Sequence, residues 1–430
     1  MKSLHLTLLI FLYSAIASLV PTSSFANSHS LKTNALNAQQ IKHWREDIDV
    51  MQRELEKRHI HLYHQISADF FSKEVARIKQ QLPSHTETSL RIELMRLIKQ
   101  VGDGHTQFAY WGGEHYCYPL DLRMFGNELR LIGITQQHQH LLGAILVAIE
   151  DVPIAQLLPL ITPILQGVEN AQSEQQRLIE TIRVAEVLQG LNISKSLEQT
   201  KFTFKLPDGK LQNVTLKSLS SAQFAKHNLS SLKLAQPANF TKHKISNEDI
   251  ALLLSNNGQT VYLDFHHYPS FFEMNSFAED LTALLRDKKT RNVIIDLRNN
   301  GGGDFFVGLH LAWALIMVDN LNWRDGIYVL TGRKTFSAAM SNAAQYRQLL
   351  NATLVGEPTG ANPVGYQDAD TFLLPHSGWK VMHSKRLYRF QDKPSAGVQP
   401  DVLIPLEWNS YKAGEDNQLN WILNTIKHVQ

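Results

Sequence analysis

A single cysteine, Cys117, stands in the whole chain of 430 residues. It excludes an internal disulfide and any zinc site built from cysteines. Charge of one sign is also missing: 42 basic residues face 40 acidic ones, for a net charge of +2. That balance gives no electrostatic case for nucleic acid or an anionic surface as partner. After the first twenty residues no run is long and apolar enough to span a bilayer. The phosphate-loop pattern GxxxxGK[ST] is absent, and neither an internal repeat nor a low-complexity tract appears. What remains is a normal globular balance, 43% hydrophobic and 19% charged, in a chain long enough for two or three domains.

The exception to the missing apolar runs is the N-terminus, MKSLHLTLLIFLYSAIASLVPTSSFANS. Lys2 gives a positive start, Leu8 to Val20 is apolar, and Ser24-Phe25-Ala26 is a small-x-small cleavage site. The run is short for a spanning helix and breaks at Pro21. Residues 1–26 are therefore expected to be a signal peptide, leaving an exported mature protein, periplasmic or extracellular, with no stable membrane anchor.

Periodicity divides the rest. From Ala38 to about Val101 apolar residues recur at helical spacing: Ile48, Met51, Leu55 and Ile60, then Phe70, Phe71, Val75 and Ile78, then Leu90, Leu94, Leu97, Ile98 and Val101. Thr86 is placed to cap the third helix. Residues 27–116 thus read as a helical N-terminal domain. Residues 117–219 read as a mixed module. It holds the strands YPLDLRMF, ELRLIGI and GAILVAIE, helices over Asp151–Leu165 and Gln172–Leu188, and a hairpin turning at Asp208-Gly209. Residues 220–247, rich in Lys, Ser and Asn, read as a linker or surface excursion. From residue 248 the pattern is α/β. Strands TVYLDF, NVIIDL and GIYVLT alternate with helices over Phe271–Lys288 and Asp304–Met317 and with one opening at Ser337. Apolar runs such as Val293-Ile294-Ile295 suit strands of a mainly parallel sheet covered on both faces.

Two turns carry chemistry. Strand NVIIDL ends in RNNGGGDFF, where Gly301, Gly302 and Gly303 give a bare backbone that a ligand could approach closely. A flexible turn would read the same way. Strand GIYVLT ends in TGRKTFSAAM, with Ser337 at the mouth of a helix. Ser337 is either a helix cap or a nucleophile whose neighbouring amides receive an oxyanion. In a parallel sheet both turns lie at the C-terminal ends of their strands, where sites collect. The Gly302 or Gly303 amide and the Ala338 amide could then converge on one oxygen. A serine needs a base. The next lysine after Ser337 is Lys380, and His105, in LIKQVGDGHTQFAYW, is the other candidate. Spacing alone does not join His105 to Ser337.

Taken in order, IIDLRNNGGG, LTGRKTFSAA, GEPTG and GVQPDVLIP resemble the catalytic core of the C-terminal-processing (tail-specific) serine proteases. GDGHT resembles the histidine motif of the tricorn-type and chlamydial-type branches of that family. The likeness covers about Thr260 to Leu406 plus the GDGHT segment, and GAILVAIEDVPIAQL resembles part of a PDZ-like module. The resemblance implies an α/β fold with a crotonase-like catalytic core, a helical N-terminal domain and a PDZ-like middle module. It implies Ser337 as nucleophile, His105 as general base, and the Gly302 and Ala338 amides, with Gly303 beside them, as oxyanion donors. The tail-specific branch has a lysine about 25 positions after the serine, where this chain has Asn362. The histidine branch has an acid before its GVxPD segment. Here that is Asp392, with Glu357 and Asp103 as the other options. The implied protein is a serine endopeptidase that acts on peptide or protein substrates without metal or cofactor, and a homo-oligomer is compatible with it. The alternatives are a non-catalytic protein binding peptides or hydrophobic ligands on the same fold, and a small-ester hydrolase.

Overall fold

The α/β alternation after residue 248 folds into a seven-stranded sheet. In spatial order its strands are Phe240–Lys242, Ile250–Ser255, Thr260–Phe265, Asn292–Asp296, Ile327–Thr331, Thr353–Gly356 and Val402–Leu403. The first two pairings are antiparallel and the rest parallel. The computed structural model describes residues 34–429, so the expected signal peptide and its cleavage site lie outside the described residues. Val293 and Ile295 pack with the helices Phe271–Asp287, Phe305–Ile316 and Ala338–Leu350. Ile294, between them, faces Leu419, Ile422 and Ile426 of the final helix, Asn417–Val429. Successive side chains of a strand point to opposite faces, so covering both faces demands an unbroken apolar run. Asp296 pairs with Leu330, which brings the ends of these two central strands, and the turns that follow them, to one edge of the sheet.

The N-terminal region forms the helices Ala38–Arg58, Ala68–Gln81 and Glu87–Lys99. Thr86 caps the third as expected: its hydroxyl accepts the Ser89 amide, and Ser89 reciprocates. Ile60 falls beyond the first helix and is exposed, and Phe70 is exposed on the second. The apolar cluster of these helices is completed from far along the chain by Phe372, Leu374, Trp379 and Val381. Those residues belong to a long two-stranded hairpin, Val364–Leu373 and Lys380–Arg389.

Two expected helices of the middle region are shorter than their apolar pattern. The first runs only from Ile154 to Ile161. Val152 and Pro153 pair as a strand with Ile149 and Ala148, and Pro163 forces a tighter turn over Thr162–Ile164. The second divides into Ala171–Thr181 and Ala185–Gly190. Arg183 and Val184 between them turn to the sheet, where the Tyr118 amide donates to the Arg183 carbonyl at 2.8 Å and Val184 bridges Cys117. The hairpin turning at Asp208-Gly209 forms as expected, with Gly209 at φ 86°. Residues 220–247 carry a short helix, Ser221–Ala225, and two short strands, so they are more than a linker: Phe240–Lys242 edges the α/β sheet, and Ser230–Ser231 joins the middle region's own antiparallel sheet of Leu120–Phe125, Glu128–Ile134, Ile145–Ile149, Gln199–Lys205 and Leu211–Lys217. No described helix is long and apolar enough to cross a membrane.

Glu186 is buried at the start of the second of the divided helices, and both its oxygens face the Tyr116 amide, at 2.9 and 3.0 Å. Burial pushes its pKa from the ordinary 4.5 to about 7, against the pull of that amide and of Arg91. The folded chain therefore keeps a proton that the unfolded chain releases. The associated stability is whole below pH 4.5 and is lost as pH rises through 7, a change on the order of 3 kcal/mol. Urea midpoints of the parent should fall between pH 5 and pH 8. Those of Glu186→Gln, which cannot ionise, should fall less, and parallel curves would show that Glu186 does not titrate in this range.

Candidate active site

Ser337 occupies the N-cap position of the helix Ala338–Leu350 but does not cap it, because its side chain accepts no helix amide. Its backbone lies at φ 51° and ψ −124°, a conformation that non-glycine residues avoid. Surrounding bonds hold it there. Thr335 Oγ accepts the Gly332 amide at 2.9 Å and donates to the Leu297 carbonyl at 2.8 Å, and the Ser341 amide donates to the Ser337 carbonyl at 3.0 Å. The strained turn aims the hydroxyl away from the helix and toward His105. Ser337 Oγ lies 3.0 Å from His105 Nε2, across 232 positions of sequence.

His105 is 4% exposed and sits in a loop built by its neighbour. Asp103 Oδ1 accepts the His105 amide at 3.0 Å, the Thr106 amide at 2.7 Å and the Ser384 hydroxyl at 2.6 Å. Its other oxygen is 3.0 Å from His59 Nε2. The His61 amide donates to His59 Nδ1, so the His59 proton sits on Nε2 and points at Asp103. Burial alone would raise the pKa of Asp103, but the bonds from His59, Ser384 and Thr106 hold it below the usual carboxylate range. The hairpin strand Lys380–Arg389 clasps the loop from outside, with Gln107 and Met382 exchanging both backbone bonds at 3.1 and 2.9 Å. Phe336 stacks on the His105 ring at 5.3 Å.

The carboxylate behind the ring is Glu169, whose Oε1 lies 3.2 Å from His105 Nδ1. The pair is within ion-pair distance, although neither atom is aligned for a hydrogen bond. Asp392, the acid expected there, is exposed on a loop after the hairpin. Glu357 instead pairs with Arg333 at 2.7 Å, and Asp103 serves the loop backbone. Asp392 is near the GVQPD segment in sequence, but the ring is approached from the turn before the helix Ala171–Thr181. Glu169 is itself held by Asn362. The Asn362 amide donates to Glu169 Oε2 at 2.7 Å, and its side-chain nitrogen donates to the Glu169 carbonyl at 3.0 Å. Asn362 Oδ1 accepts from Asn170 and from the Gly397 amide, both at 2.9 Å. The side chain of Glu169 passes over Gly104, where an added Cβ would meet Oε1 at 2.4 Å. Lys380 is exposed at the far end of the hairpin.

Among the glycines, Gly302 approaches the serine most closely. A Cβ there would stand 2.6 Å from Ser337 Cβ, and its φ is +111°. Its amide, however, donates to Asn300 Oδ1 at 2.9 Å and is not free. The Ala338 and Gly303 amides have no acceptor among the described residues. Both residues line a cavity of about 310 Å³ together with Ser337, Phe305, Gln367 and Tyr388. Two unpaired donors beside a serine hydroxyl form an arrangement that could receive an oxyanion. Among the described residues no cluster of three His, Cys, Asp or Glu side chains is placed to hold a metal.

The two carboxylates make a direct comparison. Glu169→Ala should lower turnover on any substrate the chain accepts by at least about a hundredfold, because it removes the carboxylate 3.2 Å behind the ring. Asp392→Ala should change it by less than about twofold. Equal activity of the two variants would remove Glu169 from the site.

No known family model matches the sequence, and no curated protein does. Solved structures do match. Mature CPAF complexed with lactacystin superposes with a TM-score of 0.63 at 13% identity, over 90% of this chain and 98% of that one. Mature CPAF alone gives a TM-score of 0.61 at 13% identity, over 89% and 96%. The chain therefore shares the mixed α/β fold of these structures over nearly its whole described length.

Proposed function

We propose that this chain is an exported serine endopeptidase of the C-terminal-processing type, with a crotonase-like core and a PDZ-like middle module. The observation that carries the reading is the contact between His105 Nε2 and Ser337 Oγ at 3.0 Å, with Glu169 at 3.2 Å behind the ring. The fold shared with mature CPAF supports it. In this reading His105 removes the Ser337 proton as Oγ attacks the scissile carbonyl carbon. The carbonyl oxygen becomes an oxyanion that takes hydrogen bonds from the Ala338 and Gly303 amides. The imidazolium, steadied by Glu169, then donates its proton to the leaving amine, and an acyl-enzyme forms on Ser337. Water, deprotonated by the same ring, releases the acid. Each oxyanion donor is worth about 2.7–4 kcal/mol of barrier in such chemistry. The cavity beside Ser337 presents Phe305, Phe306 and Tyr388, which suits an apolar or aromatic substrate side chain.

One observation favours the second reading, a peptide-binding protein without turnover: the Gly302 amide is already taken by Asn300, so only part of the glycine turn faces the cavity. A fluorophosphonate separates the two. The parent should be labelled at Ser337, and a peptide map should place the adduct there. Ser337→Ala should lose the label, and His105→Ala should slow labelling and casein hydrolysis by about a thousandfold or more. A parent that resists labelling while retaining its fold would leave the binding reading standing.

A further inference from the structure

Behind the nucleophile turn lies a second cavity, of about 290 Å³, between the sheet of the middle region and the seven-stranded sheet. Its wall carries five cationic side chains, Arg123, Arg183, Arg298, Arg333 and Lys334, against the carboxylates Asp121 and Glu180. Three of the cations are committed. Arg298 lies 2.6 Å from both Asp296 and Asp416, Arg333 lies 2.7 Å from Glu357, and Arg183 pairs with Asp121. Glu180 is likewise taken, by Arg177 at 2.8 Å. Arg123 and Lys334 have no ion pair and no side-chain hydrogen bond among the described residues. The Tyr411 ring lies 5.6 Å from the Arg123 guanidinium. A further unsatisfied donor is Arg183 Nε, buried and without a partner.

An unpaired guanidinium in a recess is costly unless an anion completes it. Burial holds the pKa of Arg123 below its ordinary value, against the pull of Tyr411 and Glu357 and helped by Arg298 and Arg333, and an arginine stays protonated throughout the physiological range. The guanidinium fork fits planar carboxylates and tetrahedral phosphates alike. A volume near 300 Å³ suits a small ion rather than a folded partner.

We propose that this cavity binds a small free oxyanion carrying two negative charges, held between Arg123 of the middle sheet and Lys334 of the nucleophile turn. The geometry gives the ion a structural consequence. Arg333, beside Lys334, already donates to the Met124 carbonyl at 2.9 Å, so the turn before Ser337 is tied to the strand Leu120–Phe125. Arg298 and Asn299 of the same wall lead into the glycine turn. An ion seated here would brace both turns of the candidate active site from behind.

The test measures binding and does not depend on catalysis. The full mature chain is titrated calorimetrically at about pH 8 with inorganic phosphate and, separately, with malonate, both dianions there, at constant ionic strength set by sodium chloride. One saturable site is expected for at least one of the two, and the stronger binder tells whether the site takes phosphates or carboxylates. Arg123→Gln and Lys334→Gln should each weaken that binding by about tenfold or more. Hydrogen exchange of the backbone over residues 332–337 should slow when the ion is bound. Because Lys334 is exposed, its variant carries the test if Arg123→Gln does not fold. No saturable binding of either ion, or binding unchanged in both variants, overturns the proposal. Ser337 labelling is untouched by that result, so its failure is separate from a failure of the peptidase reading.

Discussion

The candidate site depends on a clasp. His105 belongs to a loop after the N-terminal helices and Ser337 to a turn of the α/β sheet, and no stretch of chain holds one near the other. The long hairpin does. Its root is fixed beside the core, where the Phe390 amide donates to the Pro363 carbonyl at 2.8 Å. Its far end is buried among the N-terminal helices through Phe372, Leu374, Trp379 and Val381. Between these anchors, Met382 pairs with Gln107, and Ser384 donates to Asp103, on either side of His105. Apolar burial fixes where the hairpin lies, and the polar contacts fix the ring. A 3.0 Å contact between distant segments is therefore bound to the folding of the whole chain.

The same structure tolerates a locally unfavourable backbone. A non-glycine residue at the φ and ψ of Ser337 costs about 1–3 kcal/mol and persists only where its surroundings leave no alternative. Here the Thr335 hydroxyl, the Asn300 carbonyl that accepts the Phe336 amide, and the helix beginning at Ala338 determine the turn from three sides. Small residues make room for it. Gly302 lies against Ser337, and at Gly360 a Cβ would meet the Arg333 carbonyl at 2.2 Å. Space and conformation explain these glycines: Gly302 supplies the close approach, and at Gly303 a Cβ would meet the Tyr268 side chain at 2.7 Å.

How much of this was legible follows from where each signal resides. The buried strands and the helices of the core are written in local periodicity, and Val293-Ile294-Ile295 could be read without knowing its neighbours. Ser337, His105 and the glycine turn stood out because strand-to-turn junctions and GDGHT are local patterns. Glu169 carries no such mark. It lies in an ordinary turn, VENAQS, and becomes a partner of His105 only because Gly104 lets its side chain pass and Asn362 holds it. Asp392 attracted attention through proximity in sequence, which has no bearing on which acid reaches a ring from the opposite domain. The hairpin was equally hard to see, since VGYQDADTFL and KVMHSKRLYR are mostly polar. A strand pair with its own loop of contacts at each end has no single apolar face to betray it. The early end of the first middle helix at Pro163 is a local proline effect, whereas the break at Arg183-Val184 reflects pairing with distant backbone that overrides a helical pattern.

Asn362 joins the turn that carries Glu169 to the loop before the last strand of the sheet. The tail-specific pattern that the sequence resembles implies a lysine near this position. A lysine base works only when its amine is held neutral, which requires a dry pocket. Asn362 offers no such group. Its side-chain amide is instead divided between the Glu169 carbonyl, Asn170 and the Gly397 amide of the loop before the last strand of the sheet, while its backbone N–H donates to the Glu169 carboxylate. An imidazole needs this kind of support. Its ring has two nitrogens, and only an oriented acceptor at Nδ1 keeps Nε2 free to face the serine. Asn362 thus ties the turn that carries Glu169 to the Gly397 loop, and the carboxylate that reaches His105 is held by a backbone donor that any residue but proline would supply.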